Sequence, residues 1–307
     1  MVTEIFANLL EILIFGTSLG LILSLISLGY SLLYGVGKVI NLSHGMFYFL
    51  TGYLIFVFTN QFYLGLPLYV GVILSLIIIT GIGALTYITL IKPFLEREIM
   101  ILISTFALGY LIFNFVLLLE NLLQKNIIPG LVYLPQFIPG EIAIPGSEAL
   151  FTFYNLFVML MAFALITLVY LFIRYSRYGK AIRAVSQDQD AAKLMGINLN
   201  GVLLFTTILS VFLAGVAAFL YVPLEPMHMG SGWDILLLSM SVVILGGMGS
   251  ILGTVLGAFV LSFSVKFCAY FINPLVGFPL DSIFHLIIII LMLMIRPRGI
   301  LGKKEKV

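Results

Sequence analysis

Apolar runs of about twenty residues recur along the whole chain, and each is long enough to cross the hydrocarbon core of a membrane as a helix. Hydrophobic residues make up 62% of the 307 residues, and charged residues only 9%. Because roughly a quarter of the residues in a soluble domain are charged, an ordinary soluble fold is excluded. The sequence therefore predicts an all-α polytopic membrane protein, with one transmembrane domain over residues 1–307.

The apolar runs predict eight to nine transmembrane helices. Their approximate ranges are 9–34, 40–60, 68–91, 99–119, 151–173, 201–222, 235–248, 250–271 and 282–295. The run at 235–248 is short for a crossing, because a spanning helix needs roughly 20 residues. We therefore expect 235–271 either to cross twice or to form a re-entrant pair, with some helices broken at glycine-rich segments.

The basic residues predict the orientation, because Lys and Arg near span ends stay on the cytoplasmic side. With Lys38, Lys92, Arg97, the loop 174–200 and the C-terminal segment inside, thirteen of the fifteen basic residues are cytoplasmic. This arrangement places the N-terminus outside and the C-terminus in the cytoplasm. We expect a multi-pass protein of the cell (inner) membrane.

The connection 120–150 is predicted to form an ordered cap on the external side. It contains three turn-forming pairs, Pro129-Gly130, Pro139-Gly140 and Pro145-Gly146, separated by short apolar runs. Such pairs mark defined turns rather than a flexible linker. A short hairpin is one way to build this cap.

The loop 174–200 is the longest strongly charged segment and holds five of the fifteen Lys and Arg residues. Ser186 and Gln189 have the spacing of a capping box, in which the hydroxyl accepts a hydrogen bond from the first helical turn. Gly196 is placed to take the left-handed conformation that ends a helix. These signals predict a short helix at about 187–195.

The predicted short helix carries small and flexible apolar residues, Ala191, Ala192, Leu194 and Met195. A helix of this length is marginal in water and needs packing to persist. Spacing alone leaves two interpretations open. The helix rests on the bilayer or on its own spans, or it docks into a partner protein.

The segment Asp190-Ala191-Ala192-Lys193-Leu194-Met195-Gly196 resembles the E-A-A-x-x-x-G loop of ABC importer permeases, with Asp at the usual Glu position. In that family the loop helix docks into a groove on the ATP-binding subunit and transmits its movement. The resemblance implies that 174–200 is a cytoplasmic coupling loop. Its coupling residues would be Asp190, Ala191, Ala192, Leu194, Met195 and Gly196.

Nearly the whole chain resembles the LivH-type permease subunit of branched-chain (hydrophobic) amino-acid ABC importers. Four ordered segments carry the resemblance: 28–53, 177–198, 244–261 and 296–302. It implies a second, LivM-type permease subunit, two ATP-binding subunits and an extracytoplasmic solute-binding protein. ATP and Mg would be used by the partner subunits, with no cofactor bound by this chain and no nucleic-acid partner.

Two clusters of small and polar residues interrupt the apolar sequence and are candidates for the translocation path. One contains Asn41, Ser43 and His44, and the other contains Gly246, Gly247 and Gly249. Broken helices are tolerated in a membrane where protein or a water-filled cavity covers the backbone. For the glycines close helix packing is the alternative and is favoured. Polar groups are costly against lipid, which favours the path for the first cluster.

Other function classes lack their usual residues in this sequence. No phosphate-binding G-x-x-x-x-G-K-[ST] loop occurs, so ATP hydrolysis is expected in other subunits. An ion-coupled secondary transporter, which would normally keep acidic groups in mid-membrane, is a less favoured alternative. No catalytic residue is predicted, and Glu225 with His228 lacks the third ligand that a metal site needs. Importers of the family that this chain resembles also carry urea, short-chain amides or other amino acids, which leaves the substrate open.

Overall fold

A computed structural model of the protein describes residues 2–123, 131–143, 149–278, 280–296 and 298–302. In this part of the chain six helical segments are long and apolar enough to cross a membrane. Three shorter apolar helices accompany them, at His44–Thr59, Ser231–Gly246 and Ile283–Ile295. The prediction of an all-α polytopic membrane protein is confirmed.

The helices follow one another in the order of the apolar runs. They are α1 (Val2–Gly37), α2 (His44–Thr59), α3 (Leu68–Thr86), α4 (Glu98–Leu123), α5 (Phe153–Tyr175), α6 (Arg177–Gln187), α7 (Gln189–Leu194), α8 (Leu199–Tyr221), α9 (Ser231–Gly246), α10 (Ile251–Phe267), α11 (Asn273–Val276) and α12 (Asp281–Ile295). A π-helical turn and a 3-10 turn, Tyr87–Ile91 and Lys92–Phe94, extend α3. A second π-helical turn, Cys268–Ile272, joins α10 to α11.

Helices α1 and α8 form the centre of the bundle. Their most apolar windows are 61% and 67% buried, whereas those of the other four long spans are 22% to 28% buried. The two central helices meet where Gly29 faces Ser210, and a Cβ on Gly29 would lie 2.7 Å from the carbonyl oxygen of Ser210. Small residues let helix backbones approach this closely inside a membrane.

Helices α9 and α10 form an antiparallel hairpin at the second glycine cluster. A Cβ on Gly253 would lie 2.1 Å from the Gly246 oxygen, and one on Gly257 would lie 2.6 Å from the Val242 oxygen. Helix α9 begins at Ser231, four residues before the predicted 235–248 span. Its 16 residues extend about 24 Å at 1.5 Å per residue.

Four short strands join the connections at the far end of the bundle. The strands β2 (Glu141–Ala143) and β3 (Leu150–Thr152) form an antiparallel hairpin, and β1 (Leu131–Val132) pairs with β4 (Met227–His228). The described part of 120–150 therefore contains the hairpin that the turn-forming pairs suggest. Two of those pairs, Pro129-Gly130 and Pro145-Gly146, lie outside the described residues.

Candidate functional site

The connections that carry basic residues meet at one end of the bundle, around a small apolar core that we call the basal cluster. The cluster joins the ends of α1, α3, α4 and α8 to helices α6 and α7. Its buried members are Leu33, Val36, Val39, Tyr87, Ile91, Ile101, Ile182, Val185, Ala192, Val202 and Leu203. Because the loop helices share a core with the spans, the loop 174–200 is a packed part of the fold.

Helix α6 is the first helix of the loop 174–200 and packs against the end of α5. Its N-terminal cap is Ser176, whose hydroxyl accepts a hydrogen bond of 2.8 Å from the Gly179 backbone. Apolar residues of α6 lie in the basal cluster, and its basic residues are exposed. The Arg183 guanidinium donates to the backbone carbonyls of Ile173 and Arg174, which satisfies carbonyl groups that the end of α5 leaves without helical partners.

The predicted short helix exists, but it begins later than expected and has a different cap. Helix α7 is capped by Asp188, whose carboxylate oxygen accepts from the backbone N–H groups of Asp190 and Ala191 at 2.9 Å each. The capping box at Ser186 is therefore wrong. Helix α6 runs through Ser186, whose hydroxyl donates to the Arg183 carbonyl instead, and α7 spans 189–194 rather than 187–195.

The predicted helix stop at Gly196 is confirmed. Gly196 has a φ of +81°, in the left-handed region that glycine enters at little cost. Its N–H donates to the Lys193 carbonyl at 3.0 Å, and the N–H of Ile197 donates to the Ala192 carbonyl at 3.1 Å. These bonds satisfy carbonyl groups at the end of α7, as in a Schellman motif.

Helix α7 has one face in the protein and one face in solvent. Ala192 is 4% exposed and lies in the basal cluster, whereas Leu194 and Met195 are 89% and 83% exposed. Beside them Lys193 and Asp190 form an exposed ion pair with an N–O distance of 3.2 Å. The result is an apolar tip with a charged side, held on a packed base.

A hydrogen bond links α7 to the end of α1. The Gln189 side-chain amide donates to the Val36 carbonyl at 2.9 Å. Sequence reasoning assigned this amide to a local cap and missed the contact. One residue earlier on α1, a Cβ on Gly35 would lie 3.0 Å from the Cα of Gly249. The end of α1 therefore lies between the loop helix and the turn that joins α9 to α10.

The C-terminal segment covers the end of α9. The backbone N–H groups of Ile300 and Leu301 donate to the carbonyls of Leu245 and Gly246, at 2.9 and 3.0 Å. Gly247 has a φ of +100°, and a Cβ there would lie 2.5 Å from the Gly302 nitrogen. Close backbone packing therefore accounts for the glycines at this turn, and a contact of Gly246, Gly247 or Gly249 with solute stays a prediction.

The first polar cluster forms the entry to α2 and lies inside the bundle. The carboxamide oxygen of Asn41 accepts from the backbone N–H of Ser43 at 3.0 Å and from its hydroxyl at 2.6 Å. His44 places Nε2 at 3.1 Å from the Ile26 carbonyl oxygen and Nδ1 at 3.4 Å from the Ser210 hydroxyl oxygen. All three are at most 1% exposed, so the turn joins α1, α2 and α8 through polar contacts.

Acidic residues lie at the far end of the bundle, opposite the basal cluster. His228 Nε2 lies 3.2 Å from the Asp234 carboxylate, and the Tyr221 hydroxyl donates to Glu225. No group of three metal-binding side chains occurs among the described residues. Glu11, which sequence analysis does not place in the interior, is only 6% exposed and hydrogen-bonds the Tyr270 hydroxyl.

The chain matches a protein family over residues 12–295, described as "Branched-chain amino acid transport system / permease component". It is 29% identical to the high-affinity branched-chain amino acid transport system permease protein BraD of Pseudomonas aeruginosa, over 96% of each chain. It is 27% identical to the corresponding protein LivH of Salmonella typhimurium, over 99% of this chain and 98% of the relative. The probable branched-chain amino acid transport permease protein LivH of Methanocaldococcus jannaschii is 25% identical, over 92% and 89%.

A solved structure supports the fold. The chain is similar to a chain of PsaBC from Streptococcus pneumoniae in complex with Fab, with a TM-score of 0.52 and 15% identity over 97% of both chains. At this identity the likeness concerns the fold alone. The resemblance inferred from the four sequence segments is confirmed by the family match and the relatives: the chain belongs to the permease component family of branched-chain amino acid transport systems.

Proposed function

We propose that the protein is the permease subunit of an ATP-driven importer for branched-chain or other hydrophobic amino acids. The observation that carries this proposal is helix α7, which presents Leu194 and Met195 to solvent while Gln189 ties it to α1. An exposed apolar tip on a packed base suits a docking element. In this proposal the occupant of the tip is an ATP-binding subunit, and the ATP and Mg²⁺ bind there.

The tip offers enough apolar surface to contribute to docking. Fully burying a Leu or Met side chain is worth about 1.5–3 kcal/mol. Leu194 and Met195 are almost fully exposed in the isolated subunit. A groove that covers both therefore gains most of this free energy of burial for each side chain. The exposed pair Asp190 and Lys193 would then lie at the rim, where charges set orientation more than affinity.

The proposed orientation places the basal cluster at the cytoplasmic side. The connections that hold Lys38, Lys92, Arg97 and helix α6 all lie near this cluster, in agreement with the retention of Lys and Arg inside. The protein then lies in the cell (inner) membrane, with its N-terminus outside the cell membrane and its C-terminus in the cytoplasm. A cysteine at Gln187 should react only from the cytoplasm, and one at Phe62 only from outside.

Membership of the family supports a proposal for the rest of the assembly. We propose a second, LivM-type permease, two ATP-binding subunits and an extracytoplasmic solute-binding protein that docks on the far end, on the strands and the segment 223–234. The solute then passes Asn41, Ser43 and His44, near the glycine turn at Gly246, Gly247 and Gly249. The closing movement of the two ATP-binding subunits is transmitted to the spans through the coupling residues Asp190, Ala191, Ala192, Leu194, Met195 and Gly196.

The importer assignment is tested with the full set of subunits in proteoliposomes. Leucine accumulation should require both ATP on the cytoplasmic side and the solute-binding protein on the other. Urea and acetamide are the matched competitors, because small amides are the alternative substrates. Uptake of leucine driven by a proton gradient without ATP would contradict the proposal, and so would transport of urea with no transport of leucine.

A further inference from the structure

Four buried polar atoms near the middle of the bundle have no hydrogen-bond partner in the described part of the chain. They are the hydroxyl oxygens of Ser27, Tyr30 and Ser31 and the amide nitrogen of Asn41. The four residues are at most 3% exposed. Because unpaired buried polar groups cost free energy and are rare in folded proteins, a concentration of them in one place requires a reason.

The four groups belong to one region, which we call the polar seam. Ser27, Tyr30 and Ser31 lie three and four residues apart, on one side of α1. The Tyr30 ring lies edge-on to the His44 ring, with 5.4 Å between their centres. Tyr30 also shares a buried apolar cluster with Leu236 and Val243 of α9, and the two neighbours of Asn41 pack against this cluster. The seam therefore lies between α1, α9 and the entry to α2.

The helix itself does not force these hydroxyls to be unpaired. Ser24 is on the same helix and equally buried, yet its hydroxyl donates to the Gly20 carbonyl at 2.7 Å. Thr51 and Ser75 make the same bond to the carbonyl four residues earlier, which is the usual solution for a hydroxyl inside a helix. Ser27 and Ser31 depart from this pattern, so their hydroxyls remain available to another group.

The seam has hydrogen-bonding capacity but no formal charge. Its groups are three hydroxyls and one amide, and the neighbouring His44 has a partner at each ring nitrogen. Neutral groups can bind an ammonium and a carboxylate that neutralise each other. A solute with net charge would find no opposite charge there, and burying it would be costly.

We propose that the polar seam opens during transport and that Ser27, Tyr30, Ser31 and Asn41 contact the polar end of a net-neutral, zwitterionic amino acid. This inference rests on the proposed function and adds three residues of α1 to the path. The contacts of α1 explain how the seam opens, because the end of α1 contacts Gln189 of α7 and Gly249 of the α9–α10 turn. A shift of α7 moves α1 relative to α9, and the seam lies between these two helices.

Cysteine accessibility in the assembled importer tests the inference. Cys268 is the single cysteine, so Cys268→Ser gives a cysteine-free subunit. In that background Ser27→Cys and Ser31→Cys are compared with the matched control Ser75→Cys, because Ser75 is equally buried but lies on α3, outside the seam. Each is treated in membrane vesicles with 2-aminoethyl methanethiosulfonate, without nucleotide and with ATP under conditions that block hydrolysis.

The expected result is state-dependent reaction at the seam. The Ser27→Cys and Ser31→Cys variants should react at least about tenfold faster in one state than in the other, because a closed, packed thiol reacts only when the structure opens. Saturating leucine with the solute-binding protein should slow both reactions, while the Ser75→Cys variant stays unreactive throughout. Equal inertness of all three cysteines would overturn the inference. Reaction that leucine does not slow would also overturn it, because the seam would then open to water without binding solute.

The cysteine-free parent separates the two proposals. If it accumulates leucine with ATP and the binding protein while the Ser27→Cys and Ser31→Cys variants stay inert, the importer stands and the seam is rejected. If it transports no leucine although it assembles with its partners and the wild-type subunit also fails, the proposed function is rejected, and the seam with it.

Discussion

The Gln189 side-chain amide donates a hydrogen bond of 2.9 Å to the Val36 carbonyl, across 153 residues of sequence. Val36 lies in the last turn of α1, where carbonyl groups have no partner within the helix. A residue of the short loop helix thus satisfies a carbonyl at the end of α1, one of the two central spans. The bond therefore links α7 directly to α1, without an intervening flexible segment.

Loss of this bond should weaken coupling without preventing assembly. Gln189→Ala leaves the Val36 carbonyl without its side-chain donor, and a hydrogen bond of this kind is worth about 0.5–1.5 kcal/mol. We expect the number of leucine molecules transported per ATP to fall about two- to tenfold. Gln187→Ala is the matched control, because Gln187 is exposed on the neighbouring helix. Equal transport ratios in the two variants would show that the bond carries no coupling.

Sequence reasoning succeeds where one local property decides the structure. Long apolar runs predict long helices because a spanning backbone must satisfy its own hydrogen bonds. Gly196 ends α7 as predicted because only its own φ is at issue. The predicted ends of the shorter helices agree less well with the structure. The turn from Asn41 to Ser43 delays α2 until His44, and the polar start of α9 at Ser231 extends it beyond its apolar run.

The misses at the candidate site have a common physical origin. The sequence analysis does not predict the helix 177–187. Because Ser186 lies inside this helix, it cannot cap α7, and Asp188 caps α7 instead. The partner of Gln189 is a carbonyl of a distant helix, which no local spacing indicates. The sequence does carry a signal for the helix 177–187: basic residues recur every three positions, at Arg177, Lys180 and Arg183, with apolar residues between them, which is typical of an amphipathic helix.

The apolar tip of α7 should determine binding of the ATP-binding subunits. Leu194→Asp places a charge where the proposal requires an apolar contact, and burying an unpaired charge is strongly unfavourable. We expect the amount of ATP-binding subunit that co-purifies with the permease to fall about tenfold, equal to about 1.4 kcal/mol.

Phe62→Asp is the control for this experiment, because Phe62 is 85% exposed in the loop between α2 and α3. It introduces the same charge at the proposed external side and should leave co-purification unchanged. If both variants keep their ATP-binding subunits, the tip is not the docking element.

The helix stop at Gly196 should tolerate asparagine but not leucine. A Cβ on Gly196 meets no atom within 4 Å, so a substitution acts only through its φ of +81°. A left-handed conformation costs an ordinary residue about 1–2 kcal/mol, and Asn is the residue that replaces glycine best at this position.

Gly196→Leu should therefore lower leucine uptake and retention of the ATP-binding subunits, while the protein still inserts into the membrane. Gly196→Asn should retain most of both. Full coupling of ATP hydrolysis to transport in the purified Gly196→Leu complex would refute this role of the loop.

The contact between Gly35 and Gly249 should be sensitive to a single methyl group. A Cβ on Gly35 would lie 3.0 Å from the Gly249 Cα, and overpacking of this kind costs about 1–3 kcal/mol. Gly35→Ala should lower the melting temperature and reduce leucine transported per ATP. Gly81→Ala is the control, because a Cβ there meets no atom within 4 Å and alanine favours the helix.

The two measurements on Gly35→Ala separate a structural effect from a mechanical one. If α1 and the α9–α10 turn move relative to each other at this contact, transport per ATP should fall even at temperatures well below unfolding. A variant that is less stable but transports normally in the cold would show that the contact only packs the bundle. A variant that gains as much stability as Gly81→Ala and transports normally would contradict the close approach itself, since a Cβ on Gly35 requires the Gly249 backbone to move by a few tenths of an ångström.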